Sequence, residues 1–133
     1  MIVLDTQVLV WLDAGTAELG DETAGLIDGE FAKDGVAVSA ISFWEIAMLI
    51  AKGRVVVAKP LMRWREELLA AGLRELPVDG RLGIEAAELS DFHGDPADRF
   101  IVATALTLGC KLVTADRQIL AWPGSIEGVD ARA

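Results

Sequence analysis

Short runs of uninterrupted apolar residues alternate along this chain with longer stretches whose apolar positions recur at helical spacing. Ile2 to Leu4 reads as a short, fully buried strand. An apolar helix follows over Thr6 to Leu12, and Asp21 to Phe31 forms a second, with Ala24, Ile27 and Phe31 as its apolar positions. Val36 to Val38 predicts a strand. Ser42 to Lys52 predicts a strongly apolar helix, stopped at Gly53 with Lys52 in its last turn. Pro60 suits a first helical position, and Leu61 to Ala71 follows, closed by Gly72. The remaining pattern predicts a strand over Leu73 to Val78, a helix over Arg81 to Leu89, and a helix over Pro96 to Leu108 closed by Gly109. Lys111 to Thr114 then reads as a strand, Gln118 to Trp122 as a short turn or helix stopped by Pro123, and Ile126 to Val129 as a last strand.

Strands that alternate with helices of this length predict an α/β fold built from right-handed crossovers. The expectation is a central, mostly parallel sheet flanked by helices on both faces. In such folds, groups at the carboxyl ends of strands meet in a crevice where the strand order reverses. The chain of 133 residues suits one domain, 1–133, with a well-filled core, since 53% of it is hydrophobic. No repeat, low-complexity tract or linker interrupts it.

Composition narrows the chemistry. No apolar run is long enough for a bilayer, and no basic segment precedes the first apolar stretch, so neither a membrane span nor a signal peptide is expected. Cys110 is the one cysteine, which excludes an internal disulfide and a cysteine-based zinc site. It reads as a buried structural thiol, and the default compartment is the cytosol. A net charge of −9 argues against wrapping a long duplex. The charge is uneven, however. Lys52, Arg54, Lys59, Arg63 and Arg65 meet no acid until Glu66, and form either a solvated surface or a landing strip for phosphates.

Four acids stand where an apolar run gives way to a helix. Asp5 ends the first strand, Glu45 lies one turn into a helix, Asp98 is in the first turn after Asp95-Pro96, and Asp116 follows Leu112 to Ala115. Acids gathered at one sheet edge repel each other, and a divalent cation is the usual neutraliser. Each also has a structural reading. Ser42-Phe-Trp-Glu45 fits a capping box, Asp95 fits an N-cap, and Asp5 and Asp116 fit caps of the segments after them. As a set they point to metal-dependent phosphate chemistry, because Glu45 sits among apolar neighbours and needs a specific partner if buried. His93, the single histidine, reads as a solvated loop residue. Trp11, Trp44, Trp64 and Trp122 read as core or partner contacts rather than base-stacking platforms.

Four segments together resemble one known family. They are Ile2-Val-Leu-Asp5-Thr6, Ser39-Ala-Ile-Ser-Phe-Trp-Glu45-Ile-Ala, His93-Gly-Asp-Pro-Ala-Asp98-Arg99-Phe-Ile-Val-Ala-Thr-Ala, and Leu112-Val-Thr114-Ala-Asp116. In this order, over essentially the whole chain, they resemble the PIN-domain ribonucleases of the VapC type, the toxin half of a type II toxin–antitoxin pair. The resemblance implies a PIN-like fold, with Asp5, Glu45, Asp98 and Asp116 as an acidic quartet. Thr6 and Thr114 match the supporting hydroxyls and Asp95 the extra acid. Gln7 departs from the His that relatives opening this way often carry, and Gly94 and Ala97 stand where larger residues are usual. Mg²⁺, or Mn²⁺ in its place, would be held directly by Asp5 and Asp98, with Glu45 and Asp116 acting through water or completing a second metal position. The implied reaction is hydrolysis of RNA to a 3′-hydroxyl and a 5′-phosphate. Lys52 and Arg54 are candidate RNA contacts. Arg99 either clamps phosphate or pairs with an acid. Implied partners are single-stranded or looped RNA, a VapB-type antitoxin and a second copy of the chain. Part of the Phe43, Trp44, Met48 and Leu49 surface is available for such contacts. Two other classes remain open at this point. One is a non-catalytic module with a PIN-like fold. The other is a haloacid-dehalogenase-type phosphatase, which calls for an acid where Gln7 stands.

Overall fold

A computed structural model describes residues 1–92 and 94–133; His93, read above as a loop residue, lies outside the described residues. The elements in chain order are β1 (Ile2–Leu4), α1 (Thr6–Ala14), α2 (Asp21–Phe31), β2 (Val36–Ser39), α3 (Ile41–Ala51) and α4 (Leu61–Ala70). They continue with β3 (Arg74–Leu76), α5 (Gly80–Ala87), α6 (Pro96–Leu108), β4 (Lys111–Thr114), α7 (Arg117–Ala121) and β5 (Gly128–Asp130).

The five strands form one sheet in the order β3-β2-β1-β4-β5. Every pairing is parallel, so the mostly parallel sheet expected is parallel throughout. Parallel strands must be covered on both faces, which is why β1, Val36 to Val38 of β2 and Leu112-Val113 of β4 are buried apolar runs rather than alternating ones. On one face Ile2, Leu4, Val36, Val38 and Val113 pack under Val8, Leu9, Ile27, Ile46 and Trp64 of α1 to α4. On the other, Val3 and Leu112 meet Ile101, Val102 and Ala105 of α6 and Ile119 of α7. Helix α5 lies on α6 through Leu82, Ala86 and Ala103.

The chain builds outward from β1 to β2 and β3, then crosses back to place β4 and β5 on the other side of β1. The reversal between β1 and β4 opens a crevice at their carboxyl ends. The last segment closes one side of it. The Gly20 amide donates to the Ala131 carbonyl at 2.9 Å, and a Cβ at Gly20 would lie 1.9 Å from the Ala133 oxygen. Only glycine admits so close an approach, and the approach holds Arg132 at the sheet edge.

Several expectations shift. The capping box at Ser42 does not form, because α3 starts one residue earlier with Ala40 at its cap position. Ser42 is instead buried inside the helix, where its hydroxyl is hydrogen-bonded to Thr6 Oγ1 at 2.8 Å. Strand β3 is shorter than predicted because it is an edge strand with one neighbour. Strand β5 begins at Gly128, and Ile126 packs instead against the α6 cluster. Cys110 is only partly buried, against the same cluster, rather than enclosed in the core. Among the described residues no helix is long and apolar enough to cross a membrane.

Candidate metal centre

Asp5 is placed by the end of β1. Its backbone turns out of the strand, its amide still bonding to the Val113 carbonyl at 2.9 Å, and its side chain caps α1. Oδ1 accepts from the Thr6 amide at 2.8 Å and Oδ2 from Thr114 Oγ1 at 2.7 Å. Burial pushes this carboxyl above its ordinary range; the bonds from Thr114 and Thr6 oppose the rise, and Asp116 and Asp95 add to it. Thr114 is fully buried and bridges two strand ends, because its hydroxyl also accepts from the Asp116 amide at 3.0 Å. Asp116 caps α7, accepting from the Gln118 amide at 2.8 Å.

Glu45 and the α6 acids complete the cluster from the other side. Glu45, half-buried on α3, is raised first by burial and then by Asp95 and Asp5, while the Thr6 hydroxyl acts to lower it. Thr6 thus stands within reach of both Ser42 and Glu45. Asp95 caps α6, its Oδ1 accepting from the Asp98 amide at 2.9 Å. Asp98 is pushed up to about 7, by burial first and then by Asp5, Asp95, Asp116 and Glu45 in turn. Nothing cationic offsets that list, so Asp98 loses its proton only near neutrality, well above the range in which a carboxyl ordinarily ionises.

The quartet read from the sequence, with Asp95, lines one cavity of about 380 Å³ at the carboxyl edge of the sheet. One carboxylate oxygen each from Glu45, Asp95 and Asp98 lies within 4.8 Å of the others. The donor set is all oxygen and densely anionic, which suits a hard cation of the Mg²⁺ or Mn²⁺ kind rather than a soft one. Asp95, expected only as an extra acid, is thus one of the three in this grouping, and Asp5 faces Asp98 from outside it. The caps expected of Asp5, Asp95 and Asp116 are all made as well, so the structural and chemical readings coexist at the same residues.

The basic strip is thinner than the sequence suggests. Lys59 and Arg63 pair with Glu67, and Arg65 with Glu75 through Nε at 2.8 Å. Lys52 and Arg54 remain exposed and line a second depression of about 260 Å³ that shares Glu45 and Asp95 with the acid cavity. Arg99, half-buried, pairs with no acid among the described residues. Its Nη1 donates to the Ala86 carbonyl at 3.0 Å and its Nη2 to Phe92 at 2.7 Å, which ties the loop before Asp95 to α5. Sequence reasoning missed Trp11 and Arg132, which also line the acid cavity. Strand order was the missing signal. Thr114 pairs with Asp130, so the residue two beyond Asp130 comes alongside Asp116. Of the other tryptophans, Trp64 is buried with Nε1 bonded to Asp13, Trp122 stands edge-on to Phe92, and Trp44 is 54% exposed.

Comparison with known proteins agrees with this architecture. The family model described as PIN domain matches residues 2–122. The chain is 36% identical over 119 residues to ribonuclease VapC22 of Mycobacterium tuberculosis, covering 89% of this chain and 88% of that protein. Among solved structures, a chain of VapBC2 from Rickettsia felis, bound to a DNA fragment from the promoter, superposes with a TM-score of 0.70 at 18% identity. The match covers 98% of this chain and all of that one (100%). A chain of a toxin–antitoxin complex from Klebsiella pneumoniae superposes at 0.66 with 16% identity, over 98% of each. At these identities the structural matches speak to the fold.

Proposed function

The chain belongs to the PIN-domain family, and from that premise we propose that it is the toxin of a type II toxin–antitoxin pair, a Mg²⁺-dependent endoribonuclease. The observation that carries this reading is the convergence of five acids from β1, α3, α6 and the end of β4 on one open cavity. The named activity of ribonuclease VapC22, a relative over most of the chain, supports RNA as the substrate.

Asp98, Glu45 and Asp95 would hold the cation through their converging oxygens, with Asp5 completing the site from the sheet and Asp116 acting through water. A bound Mg²⁺ or Mn²⁺ supplies charge neutralisation at the scissile phosphate and a lowered pKa for the attacking water. Thr114 fixes the Asp5 carboxylate and Thr6 orients Glu45, so the acids do not reorganise as charge develops. Glu45 would give one oxygen to the cation and leave the other beside the attacking water as a proton acceptor. Water, not the 2′-hydroxyl, attacks, so the products carry a 3′-hydroxyl and a 5′-phosphate. Exposed, single-stranded RNA suits so open a site.

The same acidity makes the cavity a target for Arg or Lys side chains of a VapB-type antitoxin. Toxin–antitoxin complexes among the structural relatives support such a partner. Trp44 and Met48, 54% and 41% exposed on α3 beside the site, support an assembly with the antitoxin or a second copy, in the cytoplasm. The whole of 1–133 would form one PIN unit, since β5 completes the sheet beyond the matched residues. The test is cleavage of single-stranded RNA with Mg²⁺ or Mn²⁺, and again with excess chelator. Metal-dependent products with 5′-phosphate ends are expected. Full activity under chelation refutes the mechanism, and hydrolysis of small phosphomonoesters alone favours a phosphatase.

A further inference from the structure

Among the described residues, Arg132 is the one cation on the wall of the acid cavity. The exposed Glu18, outside the cavity, feels its charge, but no acid lies within ion-pair distance of Arg132 among the described residues. Its guanidinium makes no ion pair with the acids; Nη1 donates to the Ala115 carbonyl at 2.9 Å, and the group lies over the Trp11 ring at 5.2 Å. One of five N–H donors is thus used, and the plane is held by an aromatic face. Arg132 is exposed, so the remaining donors are available to an incoming ligand. Its backbone is anchored as well, by the Asp130 side chain accepting from its amide at 2.9 Å and by the tight approach at Gly20. A fork-shaped donor, preoriented but unpaired beside a group of acids, is built for an oxyanion that does not belong to the protein.

The ligand class follows from the other end of the trough. Lys52 and Arg54 line the depression that adjoins Glu45 and Asp95. The acids therefore lie between two cationic stations, Arg132 on the β5 side and Lys52 with Arg54 on the α3 side. A single phosphate would use one station. A strand of phosphates crossing the acids would use both.

We infer that Arg132, seated on Trp11, is a phosphate subsite for single-stranded RNA, taking a non-scissile phosphate on the β5 side of the acids. The inference rests on the ribonuclease reading above and adds a direction for the strand across the site.

The test uses the full chain in two forms. In an Asp98→Asn background, intended to block cleavage, a short labelled single-stranded RNA is titrated across a salt series with Arg132 intact or changed to Gln. The expected loss is about tenfold in affinity, that of one charge-assisted bond. The salt slope should fall by about 0.7, the value for one single-strand phosphate. Arg132→Lys keeps the charge and should keep the slope. With Asp98 restored, Arg132→Gln should raise KM and leave kcat close to its starting value. Arg132→Met preserves the aliphatic stem on Trp11 and gives the same losses, which guards against a fold defect in the Gln variant. Unchanged affinity and slope overturn the subsite, as does a fall in kcat at constant KM, which would make Arg132 a prop for Asp116. RNA neither bound nor cleaved by the otherwise unaltered chain removes the ribonuclease reading itself; cleavage that ignores Arg132 removes only the subsite.

Discussion

Asp98 combines partial burial and the repulsion of four neighbouring acids with a central place in the site. Its carboxyl titrates near 7 in the fold against an ordinary value near 3.8. Between those values the folded chain holds a proton that the unfolded chain has released. Stability therefore falls as pH rises through that window, and the loss is complete above it. Asp98 is partly open to solvent, so screening limits the effect to about 1–2 kcal/mol. Without divalent cations, Asp98→Asn should be more stable than the parent by about that amount at pH 8 and nearly equal to it at pH 4. Denaturant unfolding at the two pH values measures this. Equal stability at pH 8 contradicts the repulsion argument, and the same variant should lose metal-dependent cleavage. Thr114 makes a second case. Its hydroxyl serves Asp5 and the Asp116 amide together, and it is fully buried. Thr114→Val keeps the shape but leaves Asp5 one partner short, so stability should fall by about 1–3 kcal/mol. Activity should drop with it, while Thr114→Ser retains most of both.

At the scale of elements, the acids are useful because rigid segments end beside them. Ahead of α6, Arg99 ties the Phe92 carbonyl to the Ala86 carbonyl of α5. Arg99→Met should leave both carbonyls unanswered and loosen the segment that carries Asp95. Hydrogen exchange should quicken around residues 88–92, and Mn²⁺ affinity should weaken, with the sheet amides unaffected; slowed or unchanged exchange there argues against a supporting role. That support is hidden in the sequence, where Arg99 beside Asp98 reads as a partner for phosphate or acid. The strands and most helix ends are legible, because buried parallel strands are apolar runs and because Gly53 and Gly109 close their helices in left-handed conformation, whereas α1 runs past Leu12 to its stop at Gly15. The start of α3 is not. Ser42 and Glu45 have the spacing of a capping box, but burial of Ser42 against Thr6, thirty-six residues away, overrides that local preference.

The whole molecule must bring a polyanion to an acidic site while carrying a net charge of −9. In the sequence, five cations between Lys52 and Arg65 look sufficient for that. The fold ties up three of them. The Arg63–Glu67 pair is foreseeable from helical spacing, whereas Arg65–Glu75 depends on how α4 lies against β3. Of the five, Lys52 and Arg54 alone are left without an ion pair among the described residues, on the α3 side, and we propose that they guide RNA there. Changing both to Ala should weaken RNA binding and lower the salt slope by about 0.7 for each phosphate that is no longer neutralised. Metal affinity and thermal stability should hold, because neither side chain is a ligand or makes an ion pair among the described residues. Combining this change with Arg132→Gln discriminates further. If the two stations hold separate phosphates of one strand, the slope reductions add. If one phosphate visits both, removing the second station after the first changes the slope little. Affinities across a salt series for the parent, each variant and the combination decide between these. Parallel lines of equal height for the Lys52/Arg54 variant and the parent would mean that the α3 cations are merely solvated, and that the strand is gripped only where Arg132 lies over Trp11.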